Sequence, residues 1–94
     1  MDREFQTRLL HDLVKRNWGK NSISVHNRIT DIRTLLTLLG DEYLMLDPIA
    51  VEIETISGTA LGMGVEVLPE RDFALLSEHV MQLRKRLDSM GSTV

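Results

Sequence analysis

The chain has no cysteine, and this absence excludes disulfide bridges, thiolate metal sites and cysteine nucleophiles. Aromatic residues make up only 4% of the sequence, which leaves little for stacking against bases, so nucleic acid is not the expected partner. No apolar run approaches the roughly 18 to 20 residues that a membrane span needs. Met1 to Glu4 also lack the basic and apolar regions of a signal peptide. We therefore expect a soluble, cytoplasmic protein that does not bind a membrane.

The usual catalytic and ligand-binding patterns are missing as well. His11, His26 and His79 lie on three separate segments, so their spacing identifies no pair of nucleophile and base. The three glycines in 58–64 form neither a dinucleotide fingerprint nor a phosphate-binding loop. The carboxylates of the central segment do not have the spacing of a calcium loop. The sequence predicts a protein that is not an enzyme and holds no metal.

The composition is that of a small globular protein. With 94 residues, 43% hydrophobic and 27% charged, the chain has room for one core, and we expect a single helical domain over 1–94. The net charge is only -3, but its distribution is uneven. Residues 37–82 carry nine acidic side chains and one basic side chain, Arg71. This acidic middle predicts a partner protein with a basic surface.

Hydrophobic spacing predicts helices in the first half of the chain. Apolar residues recur at helical intervals over about 2–17, with Gly19 able to end the first helix in a left-handed conformation. A second helix follows up to Leu39, with Ser22 or Ser24 as its N-cap and Gly40 as its terminator. Residues 41–46 are expected to form a loop or an irregular turn.

The segment after this loop has two interpretations. Asp47 and Pro48 are typical of a helix start, as an N-cap carboxylate followed by proline at the first helical position. Val51, Ile53 and Thr55 also alternate with glutamates, so a β-hairpin over about 50–67 is the alternative and would make the fold α+β. The helix is favoured, although Gly58 inside it is a local cost of about 1 kcal/mol relative to alanine.

A last helical pattern runs from Pro69 to the C-terminus, after a short extended stretch at 65–68. Ser77 is able to cap a new helix and so divide this segment in two. Because a core of this size supplies little surplus stability, the apolar stripe from Phe73 to Met90 is a reasonable surface for dimerisation.

Several motifs between Leu46 and Leu87 stand in a familiar order. They are Leu46-Asp47-Pro48-Ile49, Val51-Glu52-Ile53, Gly64-Val65-Glu66-Val67-Leu68-Pro69, a short segment Phe73–Leu76 and a final segment Ser77–Leu87. In order and spacing this half of the chain resembles the second half of acyl and peptidyl carrier proteins. The resemblance implies a four-helix bundle whose acidic second helix docks onto basic patches of biosynthetic enzymes.

The sequence differs from the carrier-protein family at the site where the prosthetic group is attached. Carrier proteins attach phosphopantetheine to a serine, but this chain has Asp47-Pro48 at that point and no serine between Ser24 and Ser57. Aligning Gly40–Leu44 with the family loop would instead put the hydroxyl of Tyr43 at the attachment position, but this alignment requires a long insertion in the acidic helix. We therefore expect no prosthetic group and no cofactor.

Together these patterns predict an all-α, four-helix, carrier-protein-like module that acts by docking. The expected partner-binding residues are Asp47, Val51, Glu52, Glu54 and Glu66. The alternative is a small dimeric regulator or inhibitor that acts by protein–protein binding or acidic mimicry. A third hypothesis is a proton-transfer enzyme built on paired carboxylates such as Asp47 and Glu52, which would need a pocket.

Overall fold

The fold is all-α, as predicted. A computed structural model describes residues 2–91, which form four α-helices and a connecting 3-10 helix. The elements are α1 (Arg3–Lys15), α2 (Ser22–Leu39), the 3-10 helix (Asp41–Leu46), α3 (Asp47–Gly62) and α4 (Glu70–Gly91). None of the helices within these residues is both long and apolar enough to span a membrane.

The alternative β-hairpin is wrong. Helix α3 covers most of 50–67, and the β pairing found within 2–91 is a single antiparallel bridge between Asn21 and Val67. This segment forms a helix and not a hairpin because the residues that become buried in α3 have helical spacing. Val51, which belongs to the alternating pattern, stays 37% exposed. The buried residues of α3 are Ala50, Ile53, Ser57 and Ala60.

One hydrophobic core joins all four helices. Helix α2 contributes most to it and packs against α1 on one side and α3 on the other, while α4 packs against α1 and α3. The core-facing residues of α2 follow the predicted helical period. They are Val25, Ile29, Ile32, Leu35, Leu36 and Leu39.

The residues that cap the N-termini of α2 and α3 differ from the predicted ones. Asn21, rather than Ser22 or Ser24, caps α2, since its side chain accepts from the Ser24 backbone N–H at 2.9 Å. Ser22 is fully buried, and its hydroxyl donates to the Val65 carbonyl at 2.6 Å. Asp47 is not an N-cap either: the 3-10 helix runs directly into α3, and Asp47 is the first residue of α3.

Two loops are joined by backbone hydrogen bonds. The Ser22 N–H donates to the Glu66 carbonyl at 2.9 Å, and the Leu68 N–H donates to the Lys20 carbonyl at 2.8 Å. These bonds tie the connection between α1 and α2 to the connection between α3 and α4. The predicted extended stretch at 65–68 is therefore present, and its partner is the loop before α2.

Helix α4 is continuous over 22 residues, as the helical pattern after Pro69 predicts, and the alternative division at Ser77 is wrong. The resemblance to carrier proteins implied a short helix and a separate final helix in this segment. The expected dimerisation stripe is also used within the fold, because its central residues are buried in the core. These are Leu76, Val80, Leu83 and Leu87.

Gly58 provides a test of packing between α2 and α3. A Cβ at position 58 would lie 3.6 Å from Cε1 of His26, an ordinary van der Waals distance. We expect Gly58→Ala to raise the free energy of unfolding by about 0.5–1 kcal/mol in urea denaturation, because alanine loses less backbone entropy in a helix. Gly64 (φ +72°) is the control, where alanine should destabilise by about 1–2 kcal/mol. A loss of stability at position 58 would contradict the prediction.

A pH test follows from His11, which is half-buried on α1. Burial lowers its pKa below the ordinary 6.5, and the charge of Lys15 lowers it further against a weaker opposing effect of Asp88. The unfolded chain therefore binds this proton more tightly, and the free energy of unfolding should fall as pH decreases through about 6.5. In His11→Gln the fall between about pH 7.5 and about pH 5.5 should be smaller than in the wild type, measured by urea denaturation. Parallel pH profiles would contradict the prediction.

Candidate docking surface

The seam between α2 and α3 is closed by an arginine that binds two carboxylates. Arg33 Nε donates to Asp47 Oδ1 at 2.8 Å and Nη2 donates to Asp47 Oδ2 at 3.0 Å, while Nη1 donates to Glu54 Oε1 at 2.7 Å. Asp47 and Glu54 are seven residues apart, which is two helical turns, so both lie on the side of α3 that faces α2. The planar guanidinium matches this arrangement with a bidentate contact and a third bond.

This arrangement changes the charge available for docking. The side chains of Asp47 and Glu54 are 28% and 30% exposed, and together with Arg33 they carry one net negative charge. Hydrogen bonding to Asp47 raises the pKa of Arg33 above its ordinary value, so the guanidinium stays charged. Two of the predicted docking carboxylates are therefore neutralised in part by their own chain.

Glu52 and Val51 lie on the solvent-facing side of α3. Both are exposed, as are Thr55 and Thr59 one and two turns further along the helix. Within residues 2–91, Glu52 makes no ion pair and no side-chain hydrogen bond. Of the three predicted carboxylates on α3, Glu52 is the one that presents a full charge to a partner.

Glu66 lies on a different element from the other predicted residues. It is exposed in the connection between α3 and α4, and its backbone carbonyl accepts from Ser22. The predicted partner-binding set is therefore divided into an α2–α3 seam pair, an exposed α3 pair and one loop residue. Asp41 and Glu42 of the 3-10 helix, which precedes α3, add two exposed carboxylates that the predicted set omitted.

Arg33 was the functional residue that sequence reasoning missed. The available signal was its helical phase: it follows Ile29 by four residues and precedes Leu36 by three, so it lies at the edge of the apolar stripe of α2. That phase indicated contact with a neighbouring helix. Which helix and which carboxylates it would contact depended on the packing.

The structure also brings together a histidine and a serine that sequence spacing did not connect. His26 Nδ1 lies 2.9 Å from Ser57 Oγ, across the same seam. Ser57 is fully buried, and its hydroxyl also donates to the Glu54 carbonyl at 3.1 Å. A substrate would not reach this hydroxyl in the folded state, so the geometry fits a packing role between α2 and α3.

The carboxylates of the proton-transfer hypothesis are not brought together. Asp47 and Glu52 are five residues apart on one helix, which places them about 140° apart around its axis. Asp47 faces Arg33 and Glu52 faces solvent. Among the residues that the structure describes, no group of three or more His, Asp or Glu side chains is placed to hold a metal ion.

No protein-family model, curated protein or solved structure matches this chain. The resemblance to carrier proteins therefore stays a prediction from the sequence.

The ion pairs of the seam lead to a stability prediction. Arg33→Met should lower the free energy of unfolding by about 1–2 kcal/mol, because two half-buried carboxylates lose their partner. This loss lies between those typical of exposed and of buried ion pairs. Adding Asp47→Asn and Glu54→Gln should recover part of the loss. The measurement is urea denaturation, with the exposed Arg71→Met as matched control, expected within about 0.5 kcal/mol of the wild type. Equal effects at positions 33 and 71 would contradict the role of Arg33.

Proposed function

We propose that this protein is a non-enzymatic interaction module that docks onto a basic surface of a partner protein through the acidic surface formed by the 3-10 helix and α3. Glu52 supplies the full charge of α3, and Val51 supplies adjacent apolar contact. The carboxylates of the 3-10 helix, Asp41 and Glu42, extend the charge along the chain. The proposal keeps the docking function expected from the sequence and reduces the part of Asp47 and Glu54.

The observation that carries the proposal is that some acidic residues form ion pairs within the chain and others do not. Arg33 holds Asp47 and Glu54, whereas within 2–91 no basic side chain forms an ion pair with Glu52, Asp41 or Glu42. Exposed like charges without counterions repel one another and weakly destabilise a fold. A basic partner would relieve that repulsion and would be attracted over a distance of about 8–10 Å at ordinary salt.

A second support is the low charge of the surface beside Glu52. Val51, Thr55 and Thr59 are exposed and uncharged, so they can be covered by a partner at little desolvation cost. The Thr55 hydroxyl already has a hydrogen-bond partner within α3, since it donates to the Val51 carbonyl at 2.8 Å. Charged groups at the rim and apolar or satisfied groups at the centre are typical of transient interfaces.

The test is capture of partners by the immobilised protein, compared between two charge reversals. Glu52→Lys should reduce recovery of the bound partner about three- to tenfold, which corresponds to about 0.7–1.4 kcal/mol. Asp31→Lys is the control, since Asp31 is also exposed but lies on the side of α2 that faces α1. Quantitative mass spectrometry of the captured proteins measures the change, and circular dichroism verifies that both variants fold.

Salt dependence is the second arm of this experiment. Raising the salt concentration should weaken capture by the wild type more than capture by Glu52→Lys, because screening acts on the charges that the variant has lost. If Glu52→Lys and Asp31→Lys recover the same proteins in the same amounts as the wild type, docking through α3 is wrong.

A further inference from the structure

A cleft lies between α4 and the loop that follows α1. It has a volume of about 130 Å³, slightly below the roughly 150 Å³ of apolar cavities that accommodate benzene, and its mainly apolar lining also includes Asn17, Ser77 and Arg84. It is therefore large enough for one leucine side chain. The lining includes Trp18, Phe73, Leu76, Val80, Met81 and Arg84.

The cleft gathers residue types that are common at binding interfaces. Trp18 and Phe73 are two of the four aromatic residues of the chain. Trp18 is 7% exposed, whereas Met81 at the rim is 67% exposed. Tryptophan, methionine and arginine are enriched in the centres of protein interfaces, and buried aromatic pockets often receive an anchoring side chain of the partner. The cleft thus has an apolar floor and an exposed, flexible methionine at its edge.

Three arginines converge beside this cleft. Arg84 donates through Nε to the Val14 carbonyl at 3.1 Å and through Nη2 to the Lys15 carbonyl at 3.2 Å. The carbonyl of Arg16 accepts from two guanidiniums, Arg28 Nη1 at 2.9 Å and Arg84 Nη2 at 3.3 Å. These bonds satisfy the last carbonyls of α1, which a helix leaves without partners.

The arginines are close enough to affect one another. Burial lowers the pKa of Arg28 and the positive charge of Arg16 lowers it further, while Asp12 opposes this shift and Arg84 adds a smaller lowering effect. One carboxylate, Asp12, forms an ion pair with Arg16. Within residues 2–91 neither Arg28 nor Arg84 forms an ion pair, and the neighbouring Asp88 is paired with Lys15, so the region beside the cleft keeps an excess of positive charge.

Capping of α1 does not use all the donors of this cluster. Within the described part of the chain, neither Arg84 Nη1 nor Arg28 Nη2 makes a hydrogen bond. Arg28 also lies over the face of Trp18, with 4.8 Å between Cζ and the ring centroid. The guanidinium donors and the aromatic floor of the cleft are thus parts of one surface.

We infer that this cleft binds an acidic peptide segment of another protein, with one apolar side chain of the segment in the cleft and its carboxylates on the arginines. Charge complementarity selects the occupant: a basic segment would meet three guanidiniums, and a neutral one would leave their excess charge without a partner. Glu78 is exposed on α4 beside Met81 and would be the one carboxylate facing such a segment from that side. The site is independent of the acidic surface on α3.

The test begins with a library of short randomised peptides displayed on phage and selected on the wild-type protein. Selected peptides should carry an apolar residue flanked by aspartate or glutamate. Their affinity as synthetic peptides is then measured through the fluorescence of Trp18, the single tryptophan of the chain, which lies in the cleft.

Two variants locate the binding. Met81→Glu adds a carboxylate at the exposed rim and should weaken binding of the selected peptides at least about tenfold, which corresponds to about 1.4 kcal/mol. Met63→Glu is the matched control, since Met63 is 76% exposed and lies at the end of α3; it should bind as the wild type does. Arg84→Gln should also weaken binding, but it removes a cap of α1, so Met81→Glu carries the conclusion.

Three results would overturn the inference. One is selection of basic or uncharged peptides, and another is equal affinity of the Met81→Glu and Met63→Glu variants. The third is a dimer of the wild type, seen by light scattering after size exclusion, that Met81→Glu dissociates. That dimer would place a second copy of this chain on the cleft in place of an acidic segment.

Discussion

A chain of this length has one core, and the burial of α2 is the constraint on which the other helices depend. Its apolar stripe is wider than the coiled-coil minimum and faces α1 on one side and α3 on the other. Isolated helices of the length of α1 and α3 are marginal in water, so both depend on tertiary packing, in which α2 takes part on both sides. Helix α4 then closes the remaining side of the core against α1 and α3.

The central position of α2 also determines the surface charge. Arg33 lies at the edge of its stripe, and the packing of α3 brings Asp47 and Glu54 to that guanidinium. Arg28 of the same helix joins Arg84 at the end of α1. Arginines of this one helix thus neutralise part of the negative charge of α3 and add positive charge beside Trp18. As a result, one small fold has two surfaces of opposite charge.

Much of the architecture was predictable because it depends on local patterns. The helical spacing of 2–17 and 25–39, the terminator Gly40 and the restart after Pro69 are read from neighbouring residues, and the structure confirms them. The choice between helix and hairpin for α3 was harder, since both periods were present in the same segment. The caps were wrong at Ser22 and Asp47, because each of these side chains forms a hydrogen bond with a residue far along the chain.

The candidate surfaces show where local patterns stop being informative. Sequence alone favoured an all-α chain and established an acidic central segment and the absence of any thiol chemistry, since these follow from composition and from the spacing of residues within single helices. It did not show that two of the acidic residues would be bound by Arg33, nor that Trp18 and Phe73 would meet at one cleft. Contacts between residues far apart in the chain depend on how the helices pack, and the same helices packed in another order would expose a different set of charges.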